Sequence, residues 1–510
     1  MSAIVEAEAE HSATHAHEPA RRSAQGFLAL TPVRITLASL LVLIPCFWQK
    51  HIEAVDLPSH LYNAWLALLI DQGKAPGLKT VFQSSNVLFD VILSGLMRAV
   101  GPWGAEHIAV PLCVLVFVWG AFAAVRAVTR RRPWYMLAVI VMLAYGWVFH
   151  MGFMNFYLAA GLALWAFALL WKPGWRAALA LPLMVLAWFA HALPVAWLVG
   201  AMAYICLARR IRPRNRPVLT FASLAALVIL RTFLLSQFAT RWTAEQAISM
   251  TGANQLGVFE AKYQSLEFGL LAVWFSLFVR LWRRKRPLRL FIGIPFQLCL
   301  IVAAAVLLLP GAILLPGYNH PLAYVSERMS LLVAVSVCAF VGEITPGKQE
   351  KAALAILTAL FFSFLYIDMR ALNHVEALLE QSVAQLPYGT RVVSAVCDQR
   401  GDVNLVGHTL DRACIGRCFG YANYEPPSKA FRVQVEGENP IVVTTDGESG
   451  ALQLGTYVVK PRDLPLRLIY LSGRFMGSRW MKAGEVTGST CFESASDPKS
   501  LLRAPAYEAR

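Results

Sequence analysis

The segment HIEAVDLPSHLYNAWLALLIDQGK, starting at His51, holds the residue types and spacing best suited to chemistry. Glu53 and Asp56 lie three apart, and His60 follows Asp56 by four residues, roughly one helical turn. Pro58 suits the first turn of a helix and Gly73 a helix stop, so Asp56 stands just before a helical N-terminus. The helix dipole and free backbone N–H groups favour an anion there. A carboxylate in that position can take a proton from an attacking hydroxyl, or it can serve only as a helix cap. Other ionisable groups interrupt apolar sequence: His150 near Asn155, His191 in WFAHALP, Arg231, His320 after Tyr318-Asn319, and Arg328 after Glu327 in YVSERMS. Ionisable groups at membrane depth usually face a cavity or a partner. Arg328 and Arg231 are candidates to grip a phosphate with parallel N–H donors. The plainer alternatives are an ion pair with Glu327 for Arg328, and snorkelling to the interface for Arg231. For His60, His150 and His191 the plainer reading is a satisfied helix-end group. Asp90 suits capping or orienting a second helix of the same loop.

These residues need elements to position them, and composition says which kind. The chain has 510 residues, 57% apolar and 15% charged, with mean hydropathy +0.52. Soluble domains carry about 25% charged residues. The balance excludes a disordered chain, a collagen-like fibre and an ordinary cytosolic enzyme, and it points to a polytopic α-helical membrane protein. Eleven spans are expected, at about 31–49, 105–126, 134–150, 153–171, 177–190, 193–208, 217–236, 266–282, 288–309, 326–343 and 351–369. Several fall short of the ~20 residues a straight span needs. Basic clusters at Arg130-Arg131-Arg132, Lys172 with Arg176, Arg209 to Arg216, Arg283 to Arg286, and Lys348 with Lys351 fall in alternate loops. The positive-inside rule then places the N-terminus in the cytoplasm and residue 370 onward outside. Residues 86–100 carry Asp90 and Arg98 and are too short to span. A helix on the outer surface is expected instead, within a large outer loop at 50–104. Leu61, Trp65, Leu68 and Leu69 share one face, so the helix after Asp56 is also expected on the membrane surface. The net charge of +15 lies wholly in residues 1–370, because residues 371–510 hold 15 basic and 15 acidic side chains. Topology accounts for that surplus, and no nucleic-acid partner is expected. Residues 1–30 read as a disordered cytoplasmic tail, with His11, His15 and His17 either solvated or metal-binding.

A first span, a large outer loop opening on an acidic residue, many short spans and a C-terminal outer domain together resemble the GT-C glycosyltransferases. The resemblance covers about residues 30–370 and is nearest to the bacterial protein-mannosyltransferase-like and lipopolysaccharide-sugar-transferase-like branch. It is carried by the architecture and by Asp56 in its DLPSH setting, with Glu53 before it. No adjacent DD, DE or DxD pair is present, which leaves open both the choice between the two acids and any need for a divalent metal. The resemblance implies transfer of a sugar from a polyprenyl-phosphate donor to a lipid, glycan or protein acceptor hydroxyl, with Asp56 as general base. It also implies a place in the bacterial cytoplasmic membrane, with residues 371–510 periplasmic.

Residues 371–510 change character, and their short β-rich runs, RVVSAVC, FRVQVEG, PIVVTTD, TYVVK and LRLIYL, predict an extracytoplasmic α+β domain. Its cysteines, Cys397, Cys414, Cys418 and Cys491, allow two disulfides in three connectivities, with Cys414–Cys418 a plausible close pair. A zinc site is the rival, but CxxxC is poor zinc spacing. The other five cysteines lie in apolar spans. Two further functions compete with the transferase: a lipid or amphiphile transporter or flippase, and a non-catalytic membrane assembly protein. A transporter expects ionisable groups near the bilayer midplane, whereas here they gather at the outer ends.

Overall fold

A computed structural model of the chain describes residues 32–172, 174–285, 287–317, 321–396, 406–472 and 475–488. The expected tail at 1–30 lies outside them. Two compact units are present, Met1–Trp48 and Gln49–Arg510. The first contains an apolar helix, α1 (Pro32–Cys46). Its last turn tightens to a 3-10 helix at Ile44–Cys46, where Pro45 has no N–H to give.

The second unit is mostly helical. In chain order it holds α2 (Leu57–Asp71), α3 (Leu88–Thr129), α4 (Trp134–His150), α5 (Met154–Leu170), α6 (Trp175–Ala190) and α7 (Ala192–Arg210). After these come α8 (Pro213–Gln237), α9 (Ala261–Arg284), α10 (Ile294–Leu308), α11 (Val325–Val341) and α12 (Lys348–Ala384). Among the described residues, α3, α7, α8, α9 and α12 are long and apolar enough to cross a membrane, five rather than the eleven expected. The helices α1, α4, α5, α6 and α10 are apolar but only 10–17 residues long. Local chemistry shortens them. Helix α4 is broken between Ala144 and Trp147, where Gly146 is extended (ψ −167°). Helix α6 stops at His191 (φ −167°, ψ 133°), and α10 begins after an extended Gly293.

Helix α3 contains a break of its own. At Gly101 the backbone leaves helical geometry (φ 76°, ψ 174°), and Pro102 follows. Residues 88–100 are thus a separate helical arm, set off from the apolar stretch after it. The expectation for α2 is corrected. Rather than resting one face on a membrane, it buries Leu57, Leu61, Tyr62, Asn63, Leu66 and Leu69 around its circumference. It packs against α3 on one side and a short helix, α13 (Thr409–Cys414), on another. A single hydrophobic stripe did not reveal the second covering layer, because that layer arrives from more than 300 residues away.

Strand β1 (Leu78–Thr80) pairs antiparallel with β6 (Val433–Val435), joining the outer loop to the C-terminal region. A second small pair, β2 (Ala239–Arg241) with β3 (Ala312–Leu314), connects the segments after α8 and α10. The C-terminal sheet has the order β5-β4-β7-β8, with β4 (Thr390–Ala395), β5 (Cys418–Gly420), β7 (Leu466–Ser472) and β8 (Phe475–Trp480). The β5–β4 and β4–β7 pairs are parallel and β7–β8 is antiparallel. Val393, Ala395, Leu466 and Leu468 form its core with Tyr421, Val443, Leu452 and Tyr457. The expected strands at 440–446 and 456–460 do not form as strands, although Ile441, Val442 and Val443 are buried and Val458 makes an isolated antiparallel bridge to Val486. They fill the core without joining the ladder. Helix α12 runs on past residue 370 to Ala384, so the expected boundary there falls inside one continuous helix.

Candidate functional site

The loop before α2 is held by backbone and side-chain bonds from three helices. His51 N–H donates to Asn373 Oδ1 (2.9 Å), and Asn373 Nδ2 donates back to the His51 carbonyl (3.0 Å). Ile52 N–H donates to Glu106 Oε1 (2.8 Å). The turn after α4 completes the frame: Val55 N–H donates to the His150 carbonyl (2.8 Å), Asp56 N–H to the Met151 carbonyl (3.2 Å), and His150 Nδ1 to the Glu53 carbonyl (2.7 Å). Gly152 (φ +77°) closes that turn. A Cβ there would sit 2.5 Å from the Asp56 nitrogen and 2.8 Å from that of Leu57. Only glycine allows both this backbone and this approach.

Asp56 occupies the N-cap position, but its side chain makes no capping bond. The backbone there is helical (φ −88°, ψ −8°), and N-capping through the side chain normally needs an extended residue. The carboxylate therefore stays available, with a quarter of its side chain exposed. Its charge acts on His60, His408, Tyr324, Tyr424, Glu425 and Arg328. His408 Nε2 lies 4.0 Å from Asp56 Oδ1, and His408 Nδ1 lies 3.4 Å from Asp411 Oδ2.

Arg328 opens α11 beneath this group. Its guanidinium sits 3.8 Å from the centre of the Phe153 ring. Among the described residues it makes no ion pair, so the pairing with Glu327 does not form, and its Nε is buried without a partner. Arg328 Nη1 is 3.4 Å from His191 Nε2. His191 caps α7 by accepting the Leu193 N–H at Nδ1 (3.2 Å). A neutral imidazole with an accepting Nδ1 carries its proton on Nε2. The single lone-pair nitrogen of a neutral His191 can serve only one of the two donors that reach it, Leu193 N–H or Arg328 Nη1, so an N–H is left over that an anion satisfies. Tyr324, beside them, is held in left-handed backbone (φ 54°).

His60 lies on the other flank. Its Nδ1 is 2.7 Å from Asp90 Oδ1, and Asn155 Nδ2 donates to Asp90 Oδ2 (2.8 Å). Burial opposes charge on His60, but Asp90 outweighs it and holds the imidazole at about 9. Burial pushes the neighbouring Glu425 up to about 8. His60, Asn63, Asp90, Glu425 and Arg432 line a small cleft with room for roughly one water molecule.

Glu53 belongs to a different environment. Arg412 donates Nε and Nη2 to the two Glu376 oxygens (2.6 Å each) and Nη1 to Glu106 Oε1 (2.9 Å), and it stands 3.6 Å from Glu53 Oε2. All four side chains are nearly inaccessible. Burial and Glu376 push the Glu53 carboxyl well above the usual carboxylate range, against the pull of Arg412. Asn373 Nδ2 also donates to Glu53 Oε1 (2.7 Å). Glu53 is thus fully engaged within the fold, away from the opening.

Of the residues singled out by sequence, Asp56, His60, His191 and Arg328 come together. His150 supports the loop from behind, with its Nε2 buried and unpartnered. Arg231 is elsewhere, donating to the Leu308 carbonyl at the end of α10 (3.0 Å). His320, Cys397 and Cys491 lie outside the described residues. Cys414 and Cys418 form a disulfide. Among the described residues no group of three or more His, Cys, Asp or Glu side chains is arranged to hold a metal ion. Sequence reasoning missed His408, Asp411, Arg412, Tyr424, Glu106 and Glu376. The signals were faint: HTLDRAC places His, Asp and Arg on one helical face, and Glu106 is a lone acid in an apolar run. Comparison with family models, with curated proteins and with solved structures yields no match to this chain.

Proposed function

We propose that the chain is a membrane glycosyltransferase that moves a sugar from a polyprenyl-phosphate donor to an acceptor hydroxyl on the outer side of the membrane, with Asp56 as general base. The reading rests above all on the buried guanidinium of Arg328 beside His191, with no carboxylate partner among the described residues, an unpartnered Nε, and close enough to Asp56 to feel its charge. A free base beside a free anion site is what a single in-line displacement requires. As the acceptor oxygen bonds to the anomeric carbon, its proton passes to Asp56. The bond from that carbon to the phosphate oxygen breaks, and the lipid phosphate leaves as an anion held by Arg328 and His191. Asp56 returns the proton to solvent through its exposed edge. In this reading the five long and five short apolar helices, together with α11, make eleven crossings, with the N-terminus cytoplasmic and residues 371–510 outside. The shorter ones are accommodated by a locally thinned bilayer.

The test is transfer by the purified protein in lipid vesicles supplied with labelled polyprenyl-phosphate sugars. Wild type is expected to transfer at least one of them, and Asp56→Asn to lose about 100-fold or more. Arg328→Ala should raise the donor KM. No transfer by wild type, or equal turnover by Asp56→Asn, overturns the reading.

A further inference from the structure

We propose that His408 is a positioning residue for Asp56: as an imidazolium it bridges Asp411 on its own helix and Asp56 on the outer loop, tying the proposed base to the C-terminal region. This deepens the transferase reading and shares Asp56 with it. The two nitrogens of the ring face two different carboxylates, Nδ1 at 3.4 Å from Asp411 and Nε2 at 4.0 Å from Asp56. Both nitrogens can donate only when the ring is protonated. A neutral tautomer would turn a lone pair toward one of the two anions, so the geometry selects the charged form.

The surroundings agree. Asp56 and Asp411 place negative charge on His408, as Glu425 does once it ionises at about pH 8, and Tyr424 packs its ring 5.4 Å away. Arg328 is the opposing cation, acting on Asp56 and Tyr424. Burial lowers the affinity of His408 for a proton, but the hydrogen bond and charge of Asp411 more than restore it. The bridge is also rigidly mounted. Its helix, α13, is clamped by Arg412, whose guanidinium is locked between Glu376 and Glu106. Asp411 lies against Gly420, where a Cβ would collide with its carboxylate. Gly420 N–H in turn donates to the Tyr62 hydroxyl on α2 (2.9 Å). Both partners of His408 therefore sit on packed elements, and the imidazolium sets the direction of the Asp56 carboxylate.

The full-length protein labelled with [13Cε1]histidine, in detergent micelles, gives the decisive readout. The His408 signal is identified by its loss in His408→Gln, and its titration midpoint is then followed in wild type and in Asp56→Asn. Removing the Asp56 charge should lower the midpoint by about half a pH unit or more. An unchanged midpoint in Asp56→Asn overturns the proposal, whatever the protein's substrate. In the transfer assay, His408→Gln should lower kcat about tenfold with donor KM unchanged, and should remove the alkaline fall in rate that wild type shows as His408 deprotonates. A raised donor KM with unchanged kcat would count against a role at Asp56. Should wild type transfer no sugar, the transferase reading falls and the midpoint shift alone decides this proposal.

Discussion

Glu53 and Asp56 are three residues apart on one loop, and α13 with its N-cap residue sends a cation or imidazole toward each: Arg412 to Glu53 and His408 to Asp56. The two regions nevertheless differ in kind. Around Arg412, Glu53, Glu106 and Glu376 are shut away from water and nearly every donor and acceptor is used. Around Asp56 the carboxylate keeps a solvent edge, Arg328 has a buried N–H to spare, and the ion-pair partner His408 stands at 4.0 Å. Residue type does not separate a structural acid from a reactive one. The separation comes from how many partners are already satisfied and whether water or a substrate can still reach the group.

That contrast can be broken at its strongest point first. Arg412→Ala should leave three buried carboxylates without their common cation and cost about 3–5 kcal/mol, seen as a large fall in the melting temperature of the detergent-solubilised protein. Asp56→Asn should leave the melt within about 0.5 kcal/mol of wild type. Equal melts for the two variants would erase the distinction between the regions.

The next effect is in pH. His51 faces Glu106, Glu380, Glu376 and Arg412. Burial works against its proton, but Glu106 and Glu380 prevail and raise it from 6.5 to about 9. A folded-state value above the unfolded one means that His51 stabilises fully below about pH 6.5 and that its contribution vanishes as the pH rises to about 9. His60, raised to about 9 by Asp90 against the effect of burial, and Glu425, raised to about 8 by burial, act in the same direction: the fold holds both protonated where the unfolded chain does not. Melts should therefore fall between pH 6 and 9, with His51 supplying roughly 2–3 kcal/mol of the change. His51→Gln should remove about a third of that drop, since His60 and Glu425 shift by comparable amounts over the same window, and an unaltered drop would show the pH sensitivity to lie elsewhere.

The smallest effect sharpens the comparison. Gly152→Ala forces a Cβ onto the Asp56 backbone and strains a left-handed residue, for a cost of about 1–2 kcal/mol. Because the displacement falls on Asp56 and spares the Arg412 cluster, sugar transfer should drop more than stability does. A loss in melt with full transfer would mean that the loop tolerates the shift.

Much of the frame was legible in the sequence. Helix α2 starts and stops where Pro58 and Gly73 indicate, Asp56 precedes it, and the Cys414–Cys418 bond forms. The helical arm at 88–100 separates from the apolar stretch after it at Gly101. These features depend on neighbours within a turn or two of chain. The readings that failed depended on distant chain. The interior setting of α2 needs α13 from the far end of the sequence, and the engagement of Glu53 needs Arg412, Glu106 and Glu376 from three separate elements.

The sequence by itself determined a helical, membrane-type chain with a β-containing C-terminal region, because apolar periodicity, helix breakers and charge placement act locally. It also determined which ionisable residues interrupt apolar runs, and so which were worth attention. Only the tertiary structure decided that Asp56 stays open while Glu53 is sealed, that Arg328 lacks a carboxylate partner, and that His408 arrives to face the loop. The reason is physical: whether a charge is stabilised, neutralised or left reactive depends on burial and on donors contributed from hundreds of residues away, and neither is written in the spacing of its neighbours.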